Sequence, residues 1–78
     1  MRHQWIFDRA KLITLREFKD LTRRECAAAI SKTEQAYGLK ERGRTDFTVS
    51  EICALSNCFG VDPRAFFIRK PTEETKVA

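Results

Sequence analysis

Two copies of one helix-start pattern, Thr-x-x-Glu, constrain this chain more than any other feature. The first copy joins Thr22 to Glu25, and the second joins Thr48 to Glu51. In this pattern the threonine side chain accepts a hydrogen bond from the glutamate amide, and the glutamate side chain accepts one from the threonine amide. Two such starts in a chain of 78 residues predict a fold built from short helices.

The stretch LTRRECAAAISKTEQAYGLKERG, residues 21–43, predicts two short helices joined by one turn. Thr22 begins the first of them and Thr33 the second, which runs to about residue 42 before Gly43 ends it. The buried side of the first is expected to carry Cys26, Ala27 and Ile30. The turn consists of Ser31 and Lys32.

Apolar periodicity predicts helices on both sides of this pair. The pattern over residues 6–21 predicts one helix, which is expected to start near Asp8. Another follows Thr48 and ends at Gly60, with one face formed by Val49, Ile52, Cys53, Ser56 and Phe59. A short fifth helix should begin at Asp62, with Pro63 in its first position.

Strand patterns are almost absent, because no alternating apolar run continues for more than a few residues. We therefore predict an all-α, compact five-helix domain over residues 6–70, with no internal repeat. Residues 71–78, which lack apolar periodicity, are expected to form a disordered tail.

The three cysteines indicate no metal site and no disulfide framework, since their number is odd and no CxxC pair occurs. Each lies in an apolar-periodic segment, so we expect Cys26, Cys53 and Cys58 to be small buried side chains in a reducing cytosol. The N-terminal residues lack the apolar core of a signal peptide, and no run approaches the roughly 20 apolar residues of a membrane span. These observations predict a cytoplasmic protein without a membrane partner.

Positive charge is concentrated in the two central helices. The formal net charge is +4, and residues 22–45 contribute +3 of it, from six basic and three acidic side chains. An excess of this kind on one part of the surface is typical of a polyanion partner.

In these segments the sequence resembles the Cro/repressor (Xre) type of helix-turn-helix DNA-binding domain, the lambda-repressor-like fold. The resemblance covers roughly residues 8–67. LREFKDLT is similar to the end of the family's first helix, RRECAAAI to its second, SKTEQAYGLKERGR to its turn and recognition helix, and TVSEICALSNCFGVDPRAFF to its fourth and fifth helices. Small Ala27 matches the residue that lets the second and third helices approach closely.

The resemblance implies double-stranded DNA as the partner and residues 33–42 as the recognition helix. The residues expected to read bases are Thr33, Glu34, Gln35, Gly38 and Leu39. Those expected to contact phosphates are Arg23, Arg24, Lys32, Lys40, Arg42, Arg44 and Thr45. Arg16 and Glu41 match the family's buried ion pair, which ties the first helix to the third.

The sequence departs from the family pattern at several positions. Ser31 and Lys32 replace the usual glycine and apolar residue of the turn. Lys40 stands where an apolar residue is usual, and Leu39 where a polar base-reader is usual. Gly38 lies inside the recognition helix, where it lowers helix stability by roughly 0.5–1 kcal/mol relative to alanine.

The function implied is a small transcriptional repressor, of phage, plasmid or mobile-element type, that binds an inverted repeat as a homodimer. The predicted dimer surface is the fifth helix, with Phe66, Phe67 and Ile68. The alternative for this surface is that a neighbouring loop or the N-terminal HQWIF segment covers it. The alternative for the function is a protein-interaction adaptor or an antitoxin with the same fold and with weakened or shared DNA binding.

Nothing in the sequence indicates catalysis. The single histidine, His3, lies near the N-terminus, and no nucleophile–base or carboxylate pair has the spacing of a known motif. We therefore expect a protein that is not an enzyme and that uses no cofactor, metal ion or small-molecule ligand.

Overall fold

The computed structural model describes residues 3–71, which form four α-helices and a two-stranded sheet. Strand β1 is His3–Phe7. The four helices follow it: α1 at Arg9–Phe18, α2 at Arg23–Ala29, α3 at Glu34–Glu41 and α4 at Val49–Phe59. A single 3₁₀ turn at Pro63–Phe66 then leads into strand β2, Phe67–Pro71. The protein is mostly helical, as predicted.

Each helix begins at a polar cap that the sequence marks. Asp8 accepts a hydrogen bond from the amide of Ala10, and Thr33 accepts one from Ala36. Both Thr-x-x-Glu patterns form complete capping boxes, at Thr22 and at Thr48. The predicted starts of all four helices are confirmed.

Each helix also ends in the same way, with one residue in the left-handed conformation. These residues are Asp20, Ser31, Gly43 and Gly60, with φ between 57° and 83°. The amide of the next residue donates to a carbonyl five positions earlier, as from Lys32 to Ala27. Schellman motifs of this kind satisfy carbonyls that the helix leaves unpaired. Ser31 therefore makes the turn between α2 and α3 without a glycine.

The prediction of a fifth helix is wrong. Asp62 caps the segment and Pro63 occupies its first position, as expected, but the helix stops after one turn. Phe66 is fully buried at the end of that turn, and Phe67 is already extended, with φ −120° and ψ 152°. The sequence that follows Phe66 continues as strand β2, because β1 is available to pair with it.

The expectation that strands are absent is also wrong. β1 and β2 pair antiparallel, with Phe7 opposite Phe67 and Trp5 opposite Arg69. The amide of Asp8 extends this ladder by donating to the carbonyl of Phe66 at 2.8 Å. The HQWIF segment thus lies beside Phe67 and Ile68 of the predicted dimer surface, and both side chains stay partly exposed. We refer to β1 and β2 together as the ribbon.

The ribbon reaches past the predicted domain limits of residues 6–70. It pairs His3 with Pro71, the first residue of the predicted tail. The predicted tail otherwise lies outside the described residues.

The core lies between the four helices and the 3₁₀ turn. Cys26, Ala27 and Ile30 are buried as predicted. On α4 the buried face differs from the prediction: 79% of Val49 is exposed and Cys53 is also exposed, whereas Leu55 is fully buried. Among the residues whose burial the structure describes, the buried apolar ones are Leu12, Cys26, Ala27, Ile30, Tyr37, Ile52, Leu55, Phe59 and Phe66.

The cysteines divide into one buried and two exposed side chains, which corrects the prediction for Cys53 and Cys58. Burial raises the pKa of the Cys26 thiol to about 11, so its nucleophilic thiolate is disfavoured at neutral pH. We expect a thiol reagent to modify two cysteines in the native protein and three in denaturant, as counted by mass spectrometry. Rapid native modification of Cys26 would contradict this packing.

Within residues 3–71, no helix combines the length and apolar character needed to cross a bilayer.

Candidate nucleic-acid interface

A buried carboxylate joins the first three helices. Glu41, near the end of α3, accepts a hydrogen bond from Arg16 Nε of α1 at 2.8 Å. It also accepts one from Arg23 Nε of α2 at 2.9 Å and one from the Tyr37 hydroxyl at 2.7 Å. Only 3% of Glu41 is exposed. The expected pair between Arg16 and Glu41 is therefore present and buried, and it belongs to a larger cluster.

The partners of Glu41 keep it ionised. Burial alone would raise the pKa of this carboxyl group, but hydrogen bonds from Tyr37, Arg23 and Arg16 outweigh burial and lower the pKa. Arg16 also donates from Nη1 to the carbonyl of Leu21, which fixes the chain just before α2. We refer to Glu41, Arg16, Arg23 and Tyr37 as the Glu41 cluster. It holds α3 in one orientation relative to α1 and α2.

The outward side of α3 carries most of the predicted base-reading residues. Thr33, Glu34, Gln35 and Leu39 are exposed. Gly38 is the exception, because it is buried. A Cβ built at Gly38 would lie 3.5 Å from Arg42 Nη1, so the Arg42 side chain lies over this glycine. A direct contact from Gly38 to a base therefore requires Arg42 to move.

Most of the predicted phosphate-contacting residues are also exposed: Arg24, Lys32, Arg42, Arg44 and Thr45. Arg23 is bound through Nε to Glu41, yet 55% of its side chain is exposed. Its two terminal nitrogens have no hydrogen bond to another residue in the part of the chain that the structure describes. Arg23 thus retains donors for an anion while Glu41 fixes its position.

Lys40 does not fit the prediction of a phosphate contact. Its Nζ donates to the carbonyl of Asp46 at 2.8 Å and lies 3.1 Å from Glu51 Oε1. The ammonium also lies 5.9 Å from the centre of the Phe47 ring. Only 13% of the side chain is exposed, so Lys40 binds within the protein. A paired ammonium group thus occupies the position where the resemblance implies an apolar side chain.

The predicted dimer residues differ in how far their side chains are exposed. Phe66 is fully buried and packs edge-to-face on Phe59, with ring centres 5.4 Å apart. It therefore cannot contribute to a dimer interface. Phe67 and Ile68 are partly exposed and lie in β2.

Sequence reasoning missed two residues at this site, Tyr37 and Arg9. Tyr37 is fully buried, and its position four residues before Glu41 on the same helix face was the available signal. Arg9 donates from Nη1 to the carbonyl of Glu41 at 3.3 Å. No local pattern points to this contact, because it joins residues that are far apart in the chain.

Comparison of the chain with protein-family models, curated proteins and solved structures gave no match in any of the three.

Proposed function

We propose that this chain is a sequence-specific DNA-binding regulator of the Cro/repressor type. In this proposal α2 and α3 form a helix-turn-helix, and α3 enters the major groove as the recognition helix. The protein acts as a small repressor on an inverted-repeat operator, which it binds as a homodimer. A dimer is needed because one helix reaches too few base pairs to specify a genomic site.

The Glu41 cluster is the observation that carries this proposal. Recognition of base edges requires a helix held in a fixed orientation while its outer face remains free. Arg16 and Arg23 hold α3 through Glu41, whereas Glu34 and Gln35 on α3 are exposed. These two can accept from a cytosine amino group and pair with adenine, respectively.

The distribution of charge supports the same reading. Exposed Arg42 and Arg44 follow the C-terminal end of α3, and Arg23 and Arg24 lie in the first turn of α2. In the sequence, Arg23 and Arg24 thus precede α3, and Arg42 and Arg44 follow it. Arginines in such positions can bind backbone phosphates and fix the register of the helix.

The experiment is a titration of labelled duplex DNA at several salt concentrations, read by fluorescence anisotropy. Replacing Arg44 with alanine should weaken binding to every sequence by a similar factor. It should also reduce the slope of log K against log salt by about 0.9 for the lost phosphate contact. Arg64→Ala is the matched control, because Arg64 is an exposed arginine on the 3₁₀ turn, paired with Asp62.

Two results would count against the proposal. A parent protein that binds no duplex even at low salt would instead favour a protein-interaction adaptor. Equal slopes for the parent and the Arg44→Ala variant would remove Arg44 from the interface. If binding is present, selection of genomic fragments with the purified protein would give the operator.

A further inference from the structure

The loop between α3 and α4 is held by two basic side chains that the proposed interface leaves unused. Its first part is fixed by the backbone, since the amide of Arg44 donates to the carbonyl of Leu39 at 2.9 Å. Within residues 3–71, however, residues 45–47 make no backbone–backbone hydrogen bond. We propose that Arg9 and Lys40 are positioning residues, which fix this loop so that Arg44 and Thr45 meet the DNA backbone. This inference rests on the proposed function.

Lys40 joins the loop to both neighbouring helices. It is part of α3, and its ammonium binds the carbonyl of Asp46 in the loop. The same ammonium pairs with Glu51, whose carboxylate also accepts from the amide of Thr48 at the start of α4. The Lys40 ammonium thus joins the end of α3, the loop and the start of α4.

Arg9 contacts the chain where α3 passes into the loop. Its guanidinium donates to the carbonyl of Glu41, the last residue of α3. A Cβ built at Gly43 would lie 2.9 Å from Arg9 Cζ, and Gly43 has a φ of 83°. Close approach of Arg9 therefore requires the absence of a side chain at Gly43. At Gly60, by contrast, an added Cβ would meet no described residue beyond its own chain neighbours and helix backbone within 4 Å.

These two contacts matter because apolar packing leaves part of the loop unsupported. Phe47 is anchored against Tyr37 and Phe7, with ring centres 5.9 and 5.6 Å away. Thr45 and Asp46 instead border a cleft of about 330 Å³ between the loop and β1. The position of the exposed segment thus depends on the carbonyl of Asp46 and on its bond to Lys40.

A double-mutant cycle of Lys40→Met and Arg44→Ala tests the role of Lys40, with the affinity for labelled duplex DNA as readout. If Lys40 acts through the loop, Lys40→Met should weaken binding roughly tenfold in the parent but less than about twofold beside Arg44→Ala. Additive losses would show that Lys40 contacts phosphate itself and would overturn the inference. Lys11→Met, an exposed lysine on α1, controls for the loss of one charge.

The glycines provide a matched pair for Arg9. Gly43→Ala and Gly60→Ala both place a side chain at positive φ, 83° and 71°, but only the first displaces the Arg9 guanidinium. We expect Gly43→Ala to weaken DNA binding roughly tenfold, and Gly60→Ala to leave the affinity of the folded protein unchanged. Equal effects of the two substitutions would exclude a specific role for Arg9.

Backbone ¹⁵N relaxation separates this inference from the proposed function. The order parameters of the amides of residues 45–47 should be lower in Lys40→Met than in Lys11→Met, with no DNA present. Unchanged order parameters would show that Lys40 does not hold the loop. A parent protein that binds no duplex would overturn the proposed function, and lower order parameters would then still assign Lys40 to the loop.

Discussion

Replacing Glu41 with alanine is expected to leave the domain largely unfolded at room temperature. The substitution strands the buried guanidinium of Arg16 and removes the partner of the buried Tyr37 hydroxyl. Leaving one member of a buried ion pair alone costs roughly 3–5 kcal/mol. A single core of this size rarely supplies more than about 3–5 kcal/mol of stability. Loss of helical circular dichroism, and a shifted urea transition where one remains, would measure the effect.

Glu17→Ala is the matched control for this substitution. Glu17 also lies near Arg16, at 4.0 Å, but 68% of its side chain is exposed. An exposed pair of this kind contributes little, so we expect a change within about 0.5 kcal/mol. Equal stability of the two variants would show that the Glu41 cluster does not hold the helices together.

The Glu41 carboxylate should also give the stability a characteristic dependence on pH. Because its pKa is lowered in the folded protein, the ionised group stabilises the fold above its ordinary value of 4.5. This contribution is lost as the pH falls from that value through the lowered pKa. The difference in unfolding free energy between the parent and Glu41→Gln should therefore shrink on acidification.

Replacing Phe66 with alanine should lower the free energy of unfolding by roughly 3–5 kcal/mol. Phe66 is fully buried, and its ring contacts those of Phe59 and Phe7. Its removal leaves a cavity where the 3₁₀ turn, α4 and the ribbon meet. Urea denaturation followed by circular dichroism gives the free energy, and light scattering gives the oligomeric state of the folded fraction.

Phe18→Ala provides the comparison for Phe66→Ala, because 81% of Phe18 is exposed at the end of α1. We expect its effect on stability to stay within about 0.5 kcal/mol. The placement of Phe66 in the core would be contradicted if Phe66→Ala kept the parent's stability and altered only self-association.

Sequence was sufficient for features that depend on neighbouring residues. Helix caps act over three or four positions, so Thr22, Thr33 and Thr48 marked three helix starts correctly. Periodicity identified the buried side of α2, where Cys26 and Ala27 lie. The ion pair between Arg16 and Glu41 was expected from resemblance, since no local rule joins residues on two separate helices.

The features that sequence missed depend on contacts across the fold. β1 and β2 are each five residues long and pair from opposite ends of the domain. Neither strand shows alternation long enough to be recognised alone, whereas Asp62 and Pro63 make a strong local helix start. Tertiary pairing ended that helix after one turn. The contacts of Lys40 were missed for the same reason, because its partners Asp46 and Glu51 lie beyond α3.

The ribbon has a consequence for the order in which the domain can assemble. Phe7 pairs with Phe67, sixty residues later in the chain, so closing this pair fixes a loop that contains all four helices. Local helices form before contacts of such long range. During synthesis the helices can therefore begin to pack while β1 still has no partner. The last turn of the core carries Phe66, whose ring packs on Phe7 of β1, so its packing is complete only when the ribbon has closed.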